Sequence, residues 1–270
     1  MNKPLLLIFL SVCYNPAFAQ AGGRQTGPPP IIRQDPIKQV HPPQHAQMDK
    51  SRSTSLKPDP FSNNRPLLLV DGVPIMSGDI NAMVAYYRSF RDGSVDILLR
   101  DAVQALVPRS VMRAHFGRSL PAMEKRINAA LKKVIGLEDW TPVVTEFSDD
   151  NEDDSPKDGA YVFGREVAVQ PFDRFSHTLQ EGAPSNPFLT VYGFHFLEVT
   201  QYEQKTDPKD NKTHVRHILV MFPELQEMEK AGKDIRTEIK RLVSECKIKL
   251  LEDGLHNILP PKLRGNIIKS

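Results

Sequence analysis

Phe188-Leu189-Thr190-Val191-Tyr192-Gly193-Phe194-His195-Phe196-Leu197-Glu198-Val199 is the stretch on which the fold turns. It reads as two short apolar strands, Phe188–Val191 and Phe194–Val199, separated by Tyr192-Gly193. A third strong strand, Val215–Phe222, follows, and it contains Arg216-His217-Ile218-Leu219-Val220. Each apolar strand thus carries one histidine, His195 or His217. A single core-facing histidine is ordinarily a satisfied structural group. Two on strands of one small sheet, with a carboxylate-bearing loop nearby, point to a polar floor beneath an apolar pocket.

Toward the N-terminus, Leu67–Val70, the turn Asp71-Gly72 and Val73–Ile75 form a hairpin pattern. Ser77 is placed to cap a helix from Asp79 to about Phe90, with Ile80, Met83, Val84 and Tyr87 on one face. Further helices are expected over Ser94–Val107, Arg109–Phe116 and from Pro121 onward, with Pro108 and Gly117 as breaks. Ala160–Phe163 is a short strand and Pro171–Leu179 a helix. Thr200–Thr213 reads as a polar linker, Leu225–Glu245 as a helix and Lys247–Leu251 as a last strand.

The 270 residues carry a net charge of +2, so no broad basic field for nucleic acid is present. Their 2 cysteines exclude a disulfide scaffold. Lys3, the apolar run from Pro4 to Leu10 and Ala17-Phe18-Ala19 form a signal peptide over residues 1–19, cleaved after Ala19. That cleavage removes Cys13 and leaves Cys246 as a small buried hydrophobe. Residues 20–65 hold Pro28-Pro29-Pro30 and Pro42-Pro43 without apolar periodicity, and read as a disordered tether. The acidic run Asp149–Asp154 lacks the spacing of a calcium loop. No P-loop, G-x-S-x-G or H-E-x-x-H occurs. His214 and His217 lie three apart in a strand, on opposite faces, so no metal site and no cofactor are expected. No segment after the leader is long enough to span a membrane. The product is expected to be exported, periplasmic or extracellular.

The ordered pieces Phe147-Ser148-Asp149-Asp150, Phe163-Gly164-Arg165, Pro171-Phe172, Leu179-x-Glu181-Gly182, Pro187-x-x-Thr190 and Tyr192-Gly193-Phe194-His195-Phe196 resemble the second half of a parvulin-type peptidyl-prolyl isomerase domain. The segment from Leu68 to about Phe116, opening Val70-Asp71-Gly72-Val73-Pro74-Ile75, resembles the N-terminal chaperone part of SurA-type and PrsA-type foldases. The resemblance spans about residues 66–200. It implies an α+β fold: a helical chaperone-like segment over 66–120, then a parvulin-like small antiparallel sheet flanked by helices over 121–270. One element departs from the family order. The H-I-L-V strand, expected before Glu124, appears instead within 214–222. Either the domain is circularly permuted, with 214–222 supplying that strand, or the tail is a truncated second copy. Permutation is the reading adopted, since the tail lacks a second F-S-D loop and a second G-x-H strand.

The resemblance implies an enzyme, a peptidyl-prolyl cis-trans isomerase acting on unfolded or extended polypeptides with X-Pro bonds. It places His195, His217, Asp150 and Thr190 in the catalytic set, and Phe172, Ala168 and Phe194 at the prolyl ring. His195 and His217 are expected to fix one another's tautomer. Ala168 stands where the family usually has Met or Leu, which weakens the apolar grip. The alternative is a non-catalytic periplasmic chaperone or peptide-binding module using the same pocket.

Overall fold

The structure is a computed structural model that describes residues 61–150 and 155–268. The leader, the tether up to residue 60 and Asn151–Asp154 of the acidic run lie outside the described residues. The fold is α+β, built from two antiparallel sheets and seven helices among the described residues.

Strands β1 (Pro66–Val70) and β2 (Val73–Met76) form the expected hairpin. Asp71 and Gly72 take φ of 47° and 84°, the two left-handed positions that a tight two-residue turn requires. Helix α1 (Ser77–Arg88) begins at Ser77 itself. That hydroxyl does not cap the helix as expected. It accepts from the Arg65 N–H at 3.0 Å and donates to the Asn63 carbonyl at 2.5 Å, tying the entering chain to the helix start.

Helix α2 (Val95–Phe116) runs unbroken through Pro108, where two helices were expected. An internal proline costs about 3 kcal/mol. Burial of Leu98, Ala102, Val103 and Leu106 before it, and of Val111 and Met112 after it, offsets that, since each buried large aliphatic contributes roughly 1.5–3 kcal/mol. Helices α3 (Leu120–Val134) and α4 (Thr141–Phe147) follow.

The second sheet contains β3 (Ala160–Gly164), β4 (Phe188–Leu189), β5 (Gly193–Glu203) and β6 (Lys212–Met221), in the order β3-β6-β5-β4. The expected linker Thr200–Thr213 is mostly strand, because β5 and β6 extend into one long hairpin. Across it Glu203 accepts from His214 Nε2 at 2.8 Å, a cross-strand hydrogen bond that favours continued strand. The late strand β6 thereby lies inside the sheet. Its free edge is completed above β3 by the chain around Phe147–Asp150. Asp149 N–H donates to the Leu219 carbonyl at 2.7 Å, Leu219 N–H to Ser148 Oγ at 3.2 Å, and Met221 N–H to Asp149 Oδ2 at 2.9 Å.

Alternation along the strands separates two cores. Phe196, Ile218 and Val220 share one face with Trp140 against α3 and α4. Phe163, Leu197, Val199 and Val215 face the other way, under helix α5 (Phe172–Ser176). The C-terminal helix expected over Leu225–Glu245 is two, α6 (Pro223–Lys230) and α7 (Ile235–Glu245), interrupted at Gly232. Strand β7 (Ile248–Leu250) pairs with β1 and makes a second sheet, β2-β1-β7. Residues 121–270 were expected as one unit. Instead α7 packs on α2 and β7 extends the N-terminal hairpin, so the chain beyond residue 222 builds on the N-terminal elements. Cys246 is buried there as a free thiol.

Candidate active site

The β5–β6 register puts His195 opposite Leu219 and Leu197 opposite His217. The two histidines therefore project from one face of adjacent strands, offset by one pair. Gly193 makes this packing possible, since a Cβ there would lie 2.1 Å from the Val220 carbonyl oxygen. The imidazoles stack with centroids 5.6 Å apart and planes 20° apart. The ring of Phe172 meets both edge-on, at 5.2 Å from His195 and 5.1 Å from His217. All three are buried, as are Asp150, Thr190 and Ala168.

The histidines do not fix one another's tautomer. Each is held at Nε2 by a partner of its own. Thr190 Oγ1 lies 2.9 Å from His195 Nε2, and that hydroxyl also receives the Tyr192 N–H at 3.1 Å. His217 Nε2 lies 3.1 Å from Asp150 Oδ2. Neither Nδ1 has a hydrogen-bond partner among the described residues. Burial, and secondarily the neighbouring His217, holds the His195 pKa well below the ordinary histidine value, so its ring is neutral. Asp150 also accepts from the Tyr161 hydroxyl at 3.0 Å and from Ser155 Oγ at 3.3 Å. Burial and then the Asp150 charge push the Tyr161 pKa up, which keeps that phenol a donor.

The Phe147–Asp150 turn owes its position to Arg126 on α3. The guanidinium forks onto both Asp149 oxygens at 2.8 and 2.9 Å and reaches the Phe147 carbonyl at 2.9 Å. Asp149 therefore serves the backbone, which leaves its neighbour Asp150 to face the histidine.

Six of the seven residues singled out from sequence come together here: His195, His217, Asp150, Thr190, Phe172 and Ala168. Phe194 does not. It is a strand neighbour of His195, so alternation turns it to the opposite face, where it packs in the other core. The side chain that takes its place is Phe188. Phe188 is the cross-strand partner of His195, stacks on it at 5.9 Å and 12°, and leans on Phe172 at 6.2 Å and Phe175 at 4.6 Å. Pairing register was the signal that could have found it. Tyr161 was equally missed, and its only sign was alternation within β3. No group of three His, Cys, Asp or Glu side chains that could hold a metal occurs among the described residues. No described helix is long and apolar enough to cross a membrane.

Residues 112–201 match a family model described as Rotamase: PPIC-type PPIASE domain. Foldase protein PrsA of Geobacillus sp. (strain WCH70) is 23% identical over 137 residues, covering 50% of this chain and 47% of that protein. Foldase protein PrsA of Geobacillus kaustophilus (strain HTA426) is 23% identical over 135 residues, covering 50% of this chain and 45% of that protein. The chain thus spans about half the length of the curated relatives it matches. No solved structure matches significantly. Strand β6, with His217, lies beyond the end of the matched stretch. Over residues 112–201 the chain is thus similar to the PPIC-type rotamase domain, and over about half its length to PrsA foldases.

Proposed function

We propose that this protein is a peptidyl-prolyl cis-trans isomerase that acts as a foldase on exported, unfolded chains. The observation that carries the reading is the stacked pair His195 and His217 set edge-on against Phe172, each imidazole anchored from behind by Thr190 or Asp150. On this reading the domain is circularly permuted, and β6 takes the central position that the family's first strand holds. The export reading rests on the leader sequence at residues 1–19.

Rotating an X-Pro bond breaks the amide resonance, against a barrier of about 20 kcal/mol. Twisting returns electron density to the nitrogen and lessens the charge on the carbonyl oxygen. A dry, weakly solvating site therefore favours the twisted state over the planar one. Phe172 and Phe188 supply the apolar walls for the prolyl ring. The neutral His195, together with His217 and Thr190, shapes the floor, and Asp150, held by Tyr161 and Ser155, sets the field beside it. None of these groups is a nucleophile and no covalent step is needed.

A second reading has its own support. Phe172 is only 2% exposed and Ala168 offers a single methyl, so the rim must move before a prolyl ring touches the wall. A site of this kind could hold extended chain without catalysis. A protease-coupled assay on a proline peptide with the purified full chain separates the two. Catalysis above the thermal rate supports the isomerase. A background rate, with client aggregation suppressed equally by wild type and His195→Ala, supports the binding module.

A further inference from the structure

Asp173 follows Phe172 in α5, is fully buried, and has no part in the chemistry above. Its carboxylate accepts from the Tyr86 hydroxyl of α1 at 2.5 Å, from Gln170 Nε2 at 3.2 Å and from the Ala168 N–H at 3.4 Å. The last bond closes the segment from Ala168 to Asp173 on itself, and the first fastens it to the N-terminal part of the chain. More of α1 and the turn after it grips the chain on either side of that segment. Arg165 lies over the Tyr86 and Phe90 rings at 5.3 and 4.7 Å, and Arg91 pairs with Glu166 at 2.5 Å. His177 stacks on Tyr86 at 6.5 Å and meets Phe163 edge-on at 5.8 Å, and Phe163 lies 6.0 Å from Phe172.

Helix α5 has five residues, too few to hold its own direction by internal hydrogen bonds. Its orientation, and so that of the Phe172 ring, depends on tertiary ties. A buried carboxylate is a poor choice for mere adhesion, because an apolar side chain would pack there without desolvation cost. What a carboxylate adds is direction: it fixes the Tyr86 hydroxyl, the Gln170 amide and the Ala168 backbone at defined angles.

We propose that Asp173 is a positioning residue, clasped by Tyr86, which holds the Ala168–Phe172 wall of the proline pocket and makes α1 a support of the isomerase site. The proposal rests on the isomerase reading. Phe172 contacts the prolyl ring in the planar and twisted states alike, so loosening it weakens binding of both and raises KM with little change in kcat.

The test is steady-state isomerase kinetics on the full chain with Tyr86→Phe, Asp173→Asn and Asp173→Ala, each with its thermal melt. Tyr86→Phe should raise KM by about fivefold to tenfold with kcat within about twofold of wild type. Asp173→Asn, whose amide oxygen can still accept from Tyr86, should be milder than Asp173→Ala. If Asp173→Ala does not fold, Tyr86→Phe decides, since it removes one hydroxyl. An active wild type with unchanged KM in Tyr86→Phe, whatever its melting temperature, overturns the assignment alone. An inactive wild type overturns the isomerase reading and this assignment with it.

Discussion

His195 and His217 stack face to face, 5.6 Å between centroids, yet each is anchored through Nε2 to a different partner, Thr190 for one and Asp150 for the other. The pair is thus a packed polar floor and not a hydrogen-bonded relay. Its role in the proposed reaction is environmental. His195→Ala and His217→Ala should each lower kcat/KM by roughly tenfold to a hundredfold without abolishing it. The double variant should lose less than the product of the single losses, because the rings support each other's position. Complete loss in either single variant with a native melt would contradict a non-covalent mechanism. The check is the protease-coupled assay.

Phe188 should matter to activity more than to stability. It sits on the two-residue edge strand β4, half-buried, with its ring on His195. Phe188→Ala leaves the sheet centre intact and removes one wall of the pocket. A drop in kcat/KM of about tenfold is expected, mostly through KM, with a melting temperature within a few degrees of wild type. Steady-state kinetics and a thermal scan read both.

His177 gives the fold an acid-sensitive element. Burial first, and then the Arg165 charge, hold its pKa down to about 4, from an ordinary value of 6.5. The unfolded chain binds a proton that the folded chain refuses. Stability present above pH 6.5 is therefore lost as the pH falls toward 4. The loss from this group is about 2 kcal/mol at pH 5. His177→Phe, which keeps a ring against Tyr86 and Phe163, should flatten that slope in denaturant melts between pH 7 and pH 5. An unchanged slope would show that His177 is not its source.

Asp173 works in the opposite sense. Burial raises its pKa to about 6, against an ordinary 3.8, although the Tyr86 hydroxyl opposes the shift. The folded chain holds this proton more tightly than the unfolded chain. Stability is fully present below pH 3.8 and is lost as the pH rises through 6. Relative to wild type, Asp173→Asn should gain about 2 kcal/mol between pH 4 and pH 7. Melts of the two proteins at the two pH values give the difference directly.

Removal of residues 212–270 should abolish the cooperative melt. It deletes β6, which lies between β5 on one side and β3 with the Phe147–Asp150 turn on the other. It also exposes the Leu67 and Leu68 core, which packs with Ile248 and the C-terminal turns. Circular dichroism during heating settles the matter, and a sharp transition in the truncated chain would show that the tail is an appendage.

Much of the site was legible in the linear order. Apolar strands around His195 and His217, the F-S-D-D turn and the Phe172 helix are local patterns, and local patterns follow from propensity and periodicity. Which side of a strand a residue faces is also periodic, but its absolute sense depends on the partner strand. Phe194 was placed at the pocket for that reason, and Phe188 overlooked. Pro108 announced a break that a continuous buried face overrode. Thr200–Thr213 read as a linker because its residues are polar, and only pairing across the hairpin turned them into strand.

The sequence by itself determined the α+β class, the strand-borne histidines, and the presence near them of Thr190, Asp150 and Phe172. The strands, and Thr190 beside His195, rest on interactions within a dozen residues, whereas Asp150 and Phe172 were marked by the resemblance alone. The tertiary structure alone decided that each histidine has a separate anchor, that β7 joins β1, and that Tyr86 reaches Asp173 across 87 positions of chain. Such contacts carry no periodic signal. They arise where burying two surfaces together outweighs the entropy of closing a long loop, and that balance is set only when the whole core has formed.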